Sequence, residues 1–192
     1  MIVIIKYNCG NISSVKNAIQ RLGYSCAISD DPETIIKADK VILPGVGEAS
    51  SAMRYLKDRN LDKVIQLVKN PFLGICLGLQ LMCKHSEEGD TGGLNIFDAN
   101  VKLFPSEGIV PHMGWNNFES LKGDLFNDVE ITSDVYYVHS YYAEKCQDTI
   151  ASCDYLRSFS CALQKNNFYA TQFHPEKSAK VGEQILKNFL KL

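Results

Sequence analysis

The chain has 192 residues, 45% of them hydrophobic, which suits one domain, residues 1–192, with a sizeable core. A formal net charge of −2, with no basic run long enough to follow a phosphate backbone, argues against a nucleic-acid partner, and the apolar start Met1–Ile5 stops at Lys6, far short of a secretory or membrane-spanning segment. Seven scattered cysteines without a C-x-x-C pair suit free thiols in a reducing cytoplasm, and four histidines without ligand spacing give no metal site.

Ile2 to Lys6 read as a buried strand leading into the turn-rich Asn8-Cys9-Gly10-Asn11. Ser13 or Ser14 then caps a helix whose apolar face is Val15, Ala18, Ile19 and Leu22, ending at Gly23. Tyr24–Ile28 and Val41–Leu43 make two further strands, and strand, helix, strand with short links implies a parallel sheet. Directly after the third strand, Pro44-Gly45-Val46-Gly47 opens a helix from about Glu48 to Lys57; such a loop offers backbone N–H donors to a ligand, or is an ordinary turn. A helix over Leu61–Lys69 precedes Asn70-Pro71 and the apolar run Phe72–Ile75, the pattern of another buried strand.

At Cys76 the period changes to helical spacing, over Leu77 to Lys84. Gly74 and Gly78 flank the cysteine at minus two and plus two, where missing β-carbons permit a sharp strand-to-helix turn that lifts a nucleophile out of a sheet. A helix N-terminus also favours the thiolate. Beyond the polar loop Ser86–Gly93, short strand-like runs follow at Asn100–Phe104, Val110–Trp115, Ile131–Val138, Thr149–Cys153, Phe159–Gln164 and Phe168–Phe173, the last two turned by Lys165-Asn166-Asn167. The expected fold is α/β: an open, mostly parallel central sheet flanked by helices, extended by antiparallel strands in the C-terminal half. A last helix, from about Lys180 to Leu192, buries Val181, Ile185, Leu186 and Phe189.

A cysteine nucleophile needs a base and the base an orienting partner. His174-Pro175-Glu176-Lys177 supplies both, because Pro175 stops the strand with His174 at its tip.

Taken together, Pro44-Gly-Val-Gly, Gly74-Ile-Cys-Leu-Gly-Leu-Gln80, His139-Ser-Tyr141 and Gln172-Phe-His-Pro-Glu-Lys177 resemble the class I, or triad, glutamine amidotransferases over essentially the whole chain. Within that family the Gly10-Asn11 turn and His112-Met-Gly-Trp-Asn116 are most similar to glutaminase subunits serving histidine biosynthesis. The resemblance implies a triad of Cys76, His174 and Glu176, and an oxyanion hole from the backbone of Gly45, Val46, Gly47 and Leu77. It also implies glutamine binding by Gln80 and by the segment His139, Ser140 and Tyr141. No cofactor is implied. The expected partner is a (β/α)8-barrel synthase subunit, in a heterodimer, that receives the ammonia and makes imidazole glycerol phosphate; Trp115, Tyr136 and Lys177 match positions near its docking face. Lys6, Asn8-Cys9 and the segment after Ser86 depart from the usual pattern. These departures leave open a paralogous subunit feeding another synthase, such as one amidating a surface sugar; the other readings are a docking subunit without activity and a hydrolase or peptidase built on the same elbow.

Overall fold

A computed structural model describes residues 1–192. Its elements run β1 (Ile2–Ile5), α1 (Ile12–Arg21), β2 (Cys26–Ser29), α2 (Pro32–Ile36), β3 (Lys40–Leu43), α3 (Ala49–Asp58), α4 (Leu61–Leu67), β4 (Phe72–Ile75) and α5 (Leu77–Met82). The second half continues with β5 (Cys83–Ser86), β6 (Thr91–Gly92), β7 (Phe97–Leu103), β8 (His112–Asn116), β9 (Ser120–Leu121), β10 (Val135–His139) and β11 (Tyr141–Ala143). It ends with β12 (Thr149–Tyr155), β13 (Arg157–Lys165), β14 (Phe168–Thr171) and α6 (Ala179–Lys191).

The main sheet has the order β2-β1-β3-β4-β14-β13-β11-β7-β5-β6, with β12 on β13 and β9 on β12. From β2 to β14 every neighbour is parallel, and antiparallel pairing begins at β14 with β13. The parallel strands β1, β3, β4 and β14 are covered on both faces, which is why they read as unbroken apolar runs, whereas the edge strand β2 stays partly exposed. Ile2, Ile4, Ile42 and Leu73 pack beneath α1 and α6, through Val15, Ile19, Ile185 and Phe189. Val3, Ile5, Val41 and Phe72 pack against α3 and α4, through Met53, Leu56, Leu61 and Ile65. Burying side chains of this kind contributes about 1.5–3 kcal/mol each, so these two layers hold the sheet that positions everything below.

Several expectations need correction. The residue before α1 is Asn11, held at φ 75°, and neither Ser13 nor Ser14 caps the helix. Helix α5 stops at Met82, because Cys83–Ser86 pairs with β7 instead of completing another turn. Two residues of the polar loop, Thr91 and Gly92, pair with β5. The antiparallel half is also split: β10 and β8 form a separate two-stranded sheet. The hairpin at Lys165-Asn166-Asn167 is present, with Asn166 at φ 53°. No helix is long and apolar enough to cross a membrane.

Because β1, β3, β4 and β14 run parallel, the loops after them share one edge of the sheet, where open α/β sheets hold ligands. Asn11, Pro44–Gly47, Cys76 and His174 all lie on those loops.

Candidate active site

Cys76 joins β4 to α5 with φ 53° and ψ −105°, a backbone state costing a non-glycine residue about 1–3 kcal/mol. Its neighbours hold that strain in place: Cys76 N donates to Thr171 O on β14 at 2.7 Å, and Gln80 N donates to Cys76 O at 3.2 Å. The flanking glycines are steric necessities. A β-carbon on Gly78 would overlap the Leu43 carbonyl, and one on Gly74 would lie 2.9 Å from the Gly78 backbone. Cys76 is 6% exposed, and its sulfur opens into a cleft of about 270 Å³.

His174 follows β14, the strand hydrogen-bonded to β4, so the sheet itself carries the imidazole to the elbow. Three bonds fix its backbone: His174 N to Tyr136 O at 2.9 Å, Ser178 Oγ to His174 O at 2.7 Å, and Lys177 N to His174 O at 3.0 Å. The ring is fully buried, with Nδ1 2.8 Å from Glu176 Oε1. With Nδ1 donating to the carboxylate, Nε2 carries a lone pair, and no other hydrogen bond occupies it. Burial opposes the charged ring, yet the adjacent Cys76 thiolate and Glu176 carboxylate outweigh it and raise the imidazole's pKa. Asn11 Nδ2 donates to the same Glu176 oxygen, reaching over from the β1–α1 turn. The left-handed backbone at Asn11 is what aims its side chain inward.

The cleft is lined by Val46, Gly47, Cys76, Leu77, Gln80, Glu88, Val138, His139, Ser140 and Tyr141. Every residue expected to bind the substrate is therefore on one wall or another. Gln80 Nε2 donates to Tyr141 O at 2.9 Å, which leaves its Oε1 as the acceptor facing the cleft. Glu88 was not expected: its carboxylate holds Ala49 N at 2.8 Å, and burial raises its pKa. Asn11 and Gln172 were likewise visible only as motif residues, with no local pattern to show that they face the triad.

The Pro44–Gly47 loop carries a specific conformation. Leu77 N, next to Cys76, donates to Gly45 O at 3.3 Å, and Gly10 N donates to Val46 O at 3.4 Å. The backbone N–H that follows Cys76 is thus engaged within the chain rather than free to meet a ligand.

Beside the cleft, His112 and His139 form a buried relay across the β8–β10 pair. His139 Nδ1 lies 2.8 Å from Tyr141 O, His139 Nε2 lies 3.0 Å from His112 Nδ1, and His112 Nε2 lies 3.3 Å from Asn116 Nδ2. One alternation satisfies all of these, with both rings neutral and Nδ1 protonated. Burial lowers His139 to about 3 and His112 to about 4. Their folded pKa values lie below the unfolded value of about 6.5, so only the unfolded chain gains these protons as pH falls from about 6.5 to about 4. Stability in urea is therefore expected to be full near neutrality and to drop through that window. The His112→Asn variant should show a shallower decline, and equal slopes for both proteins would refute the assignment.

On the outer face, Trp115 and Tyr136 are cross-strand partners with ring centroids 5.9 Å apart, and Lys177 Nζ lies 5.9 Å from the Tyr136 ring. Trp115 is 54% exposed and Met113 62%. Thus the three residues expected to meet a partner share one apolar patch, and Tyr136 is on the strand whose far end, Val138 and His139, lines the cleft.

Residues 3–192 match the family model for glutamine amidotransferase class-I. The chain is 54% identical over 194 residues to the imidazole glycerol phosphate synthase subunit HisH of Bacteroides fragilis strain YCH46, covering 100% of this chain and 99% of the relative. It is 46% identical to the HisH subunit of Vibrio cholerae, covering 100% and 98%. Among solved structures, a glutamine amidotransferase superposes with a TM-score of 0.77 at 16% identity, covering 100% of this chain and 98% of the other. The glutaminase domain of Trypanosoma brucei CTPS superposes with a TM-score of 0.67 at 17% identity, covering 99% and 93%. The chain belongs to the class-I glutamine amidotransferase family, as its full-length match to the family model and to relatives more than half identical requires.

Proposed function

We propose that residues 1–192 form one cytoplasmic glutaminase domain that splits glutamine with the triad Cys76, His174 and Glu176 and passes the ammonia to the synthase of histidine biosynthesis. The observation that carries this reading is the strained Cys76 in a cleft, backed by a buried imidazole whose second nitrogen is held by a buried carboxylate. The full-length likeness to HisH subunits supports the pathway.

Nε2 of His174 takes the thiol proton, and the sulfur attacks the side-chain amide carbon of glutamine. His174 then returns that proton to the amide nitrogen as the C–N bond breaks, releasing ammonia and leaving a thioester. Water, deprotonated by the same nitrogen, adds to the thioester, and glutamate departs as sulfur regains its proton. Glu176 holds the ring in the one tautomer that permits both transfers. In this reading Gln80 Oε1 and the Glu88 carboxylate accept from the substrate's ammonium group, and the backbone of His139, Ser140 and Tyr141 holds its carboxylate; all five residues line the cleft.

Ammonia freed into neutral water would be protonated and lose its nucleophilicity, so the product calls for a covered exit. The patch of Met113, Trp115, Tyr136 and Lys177 is the docking face for a (β/α)8-barrel partner in a heterodimer, since exposed aromatics of this kind carry most of an interface's energy. In the free chain Gly45 O blocks Leu77 N, and turning the Gly45–Val46 peptide would free Leu77 N and bring Val46 N into the hole. One oxyanion donor is typically worth about a hundredfold to a thousandfold in rate. Glutamine hydrolysis is therefore expected to rise by at least about a hundredfold when the synthase and its ligand are added. Equal glutamate production by the free chain and the ligand-loaded complex would overturn the gate.

A further inference from the structure

We propose that Gln172 is a further catalytic residue: its side-chain N–H holds the Cys76 thiolate and so sets how readily the sulfur yields its proton. This rests on Cys76 being the nucleophile.

Gln172 is fully buried between β14 and the elbow, with Nε2 3.6 Å from Cys76 Sγ and Oε1 3.1 Å from Gln80 Nε2. The way this amide faces is dictated by its neighbours. Tyr141 O can only accept, so the Gln80 end facing it must be the NH2 group. That group's second N–H then requires an oxygen, which must be Gln172 Oε1. Gln172 is left with its own NH2 against the sulfur. The opposite orientation would set two NH2 groups against each other and a carbonyl against a thiolate.

The sulfur has need of such a donor. While protonated, the thiol points at Val138 O, 4.0 Å away, but a thiolate would be repelled by that carbonyl. Leu77 N, the first N–H of the helix, is taken by Gly45 O, and α5 is only 6 residues long. When the S–H proton moves to His174 Nε2, the electron pair stays on sulfur and Gln172 donates to it. No further reactant takes part. A residue that merely filled space here would be apolar, since a buried amide is tolerated only when both its ends are satisfied.

The test is the rate of Cys76 alkylation by iodoacetamide from about pH 5 to about pH 10, on the full chain, with the labelled residue identified by peptide mass spectrometry. Gln172→Met keeps the volume but removes the donor, and Gln172→Leu repeats the removal with a different shape. A hydrogen bond to a charged group is expected to shift the midpoint up by about one pH unit and to slow labelling at neutral pH about tenfold in both variants. Both variants also take the Oε1 acceptor from Gln80 Nε2, so their urea midpoints should fall, by the same amount in each, and labelling is compared in the absence of denaturant, where both remain folded. Superimposable pH profiles would overturn the proposal, as would faster labelling from a loosened core. Labelling of the parent elsewhere than Cys76 would instead remove the nucleophile reading, and this proposal with it.

Discussion

Replacing Cys76 by alanine is expected to lower glutamine hydrolysis by at least about ten-thousandfold, while synthesis driven by added ammonia persists in the complex with its synthase. The size follows from the absence of a substitute. Burial raises the Cys83 and Cys161 thiols, and it pushes Cys153 up to about 12 and Cys9 up to about 11. None of the four lines the cleft, whose only sulfur nucleophile is Cys76. Without the thiolate His174 could still polarise a water, but the covalent route that divides the reaction into two easier steps is lost. Ammonia enters after the step that Cys76 performs, so the substitution should leave its use intact. Glutamate release and ammonia-supported turnover, measured on one preparation, decide the matter. A glutaminase rate within tenfold of the parent would mean another group carries the chemistry.

Gly78→Ala is expected to cost about 2 kcal/mol of stability and about a hundredfold in glutamine turnover, although the glycine touches no substrate. The added methyl group would overlap the carbonyl oxygen of Leu43, a backbone atom in the middle of the sheet that has no room to retreat. The elbow must shift instead, carrying Cys76 off the line to His174. Gly92 makes the matched control, because a β-carbon there meets nothing within 4 Å, so Gly92→Ala should change stability by under about 0.5 kcal/mol. Urea unfolding and steady-state turnover of the two variants test the contrast. Parent-like behaviour of Gly78→Ala would show that the turn does not depend on this close approach.

Helix lengths and strand pairings shared by distant segments were the features least legible in the residue pattern. Leu77 to Lys84 keeps a helical rhythm, but Cys83–Ser86 finds a partner in β7, and ladder bonds to a second strand outweigh one more turn of helix. Serine is a good cap by propensity, yet α1 begins after Asn11, whose side chain is claimed by Glu176. Gln172 was readable as part of a motif and nothing more, since its role depends on the direction in which Gln80 and Tyr141 face it.

What the amino-acid order determined by itself is everything whose cause is local. The apolar runs Ile2–Ile5 and Phe72–Ile75 state burial on two faces, and Gly74 and Gly78 state a bend with no space for a β-carbon; the expected strand stop at Pro175 comes earlier, with β14 ending at Thr171. Those signals singled out Cys76, His174 and Glu176, the proposed nucleophile, base and orienting carboxylate. Tertiary structure alone decided which groups satisfy one another across the chain: Asn11 on Glu176, Gln172 on the sulfur, Glu88 in the cleft, and Gly45 O against Leu77 N. The physical reason is that a hydrogen bond depends on the position and direction of two atoms, and for atoms far apart along the chain both are set only when the sheet has closed its register.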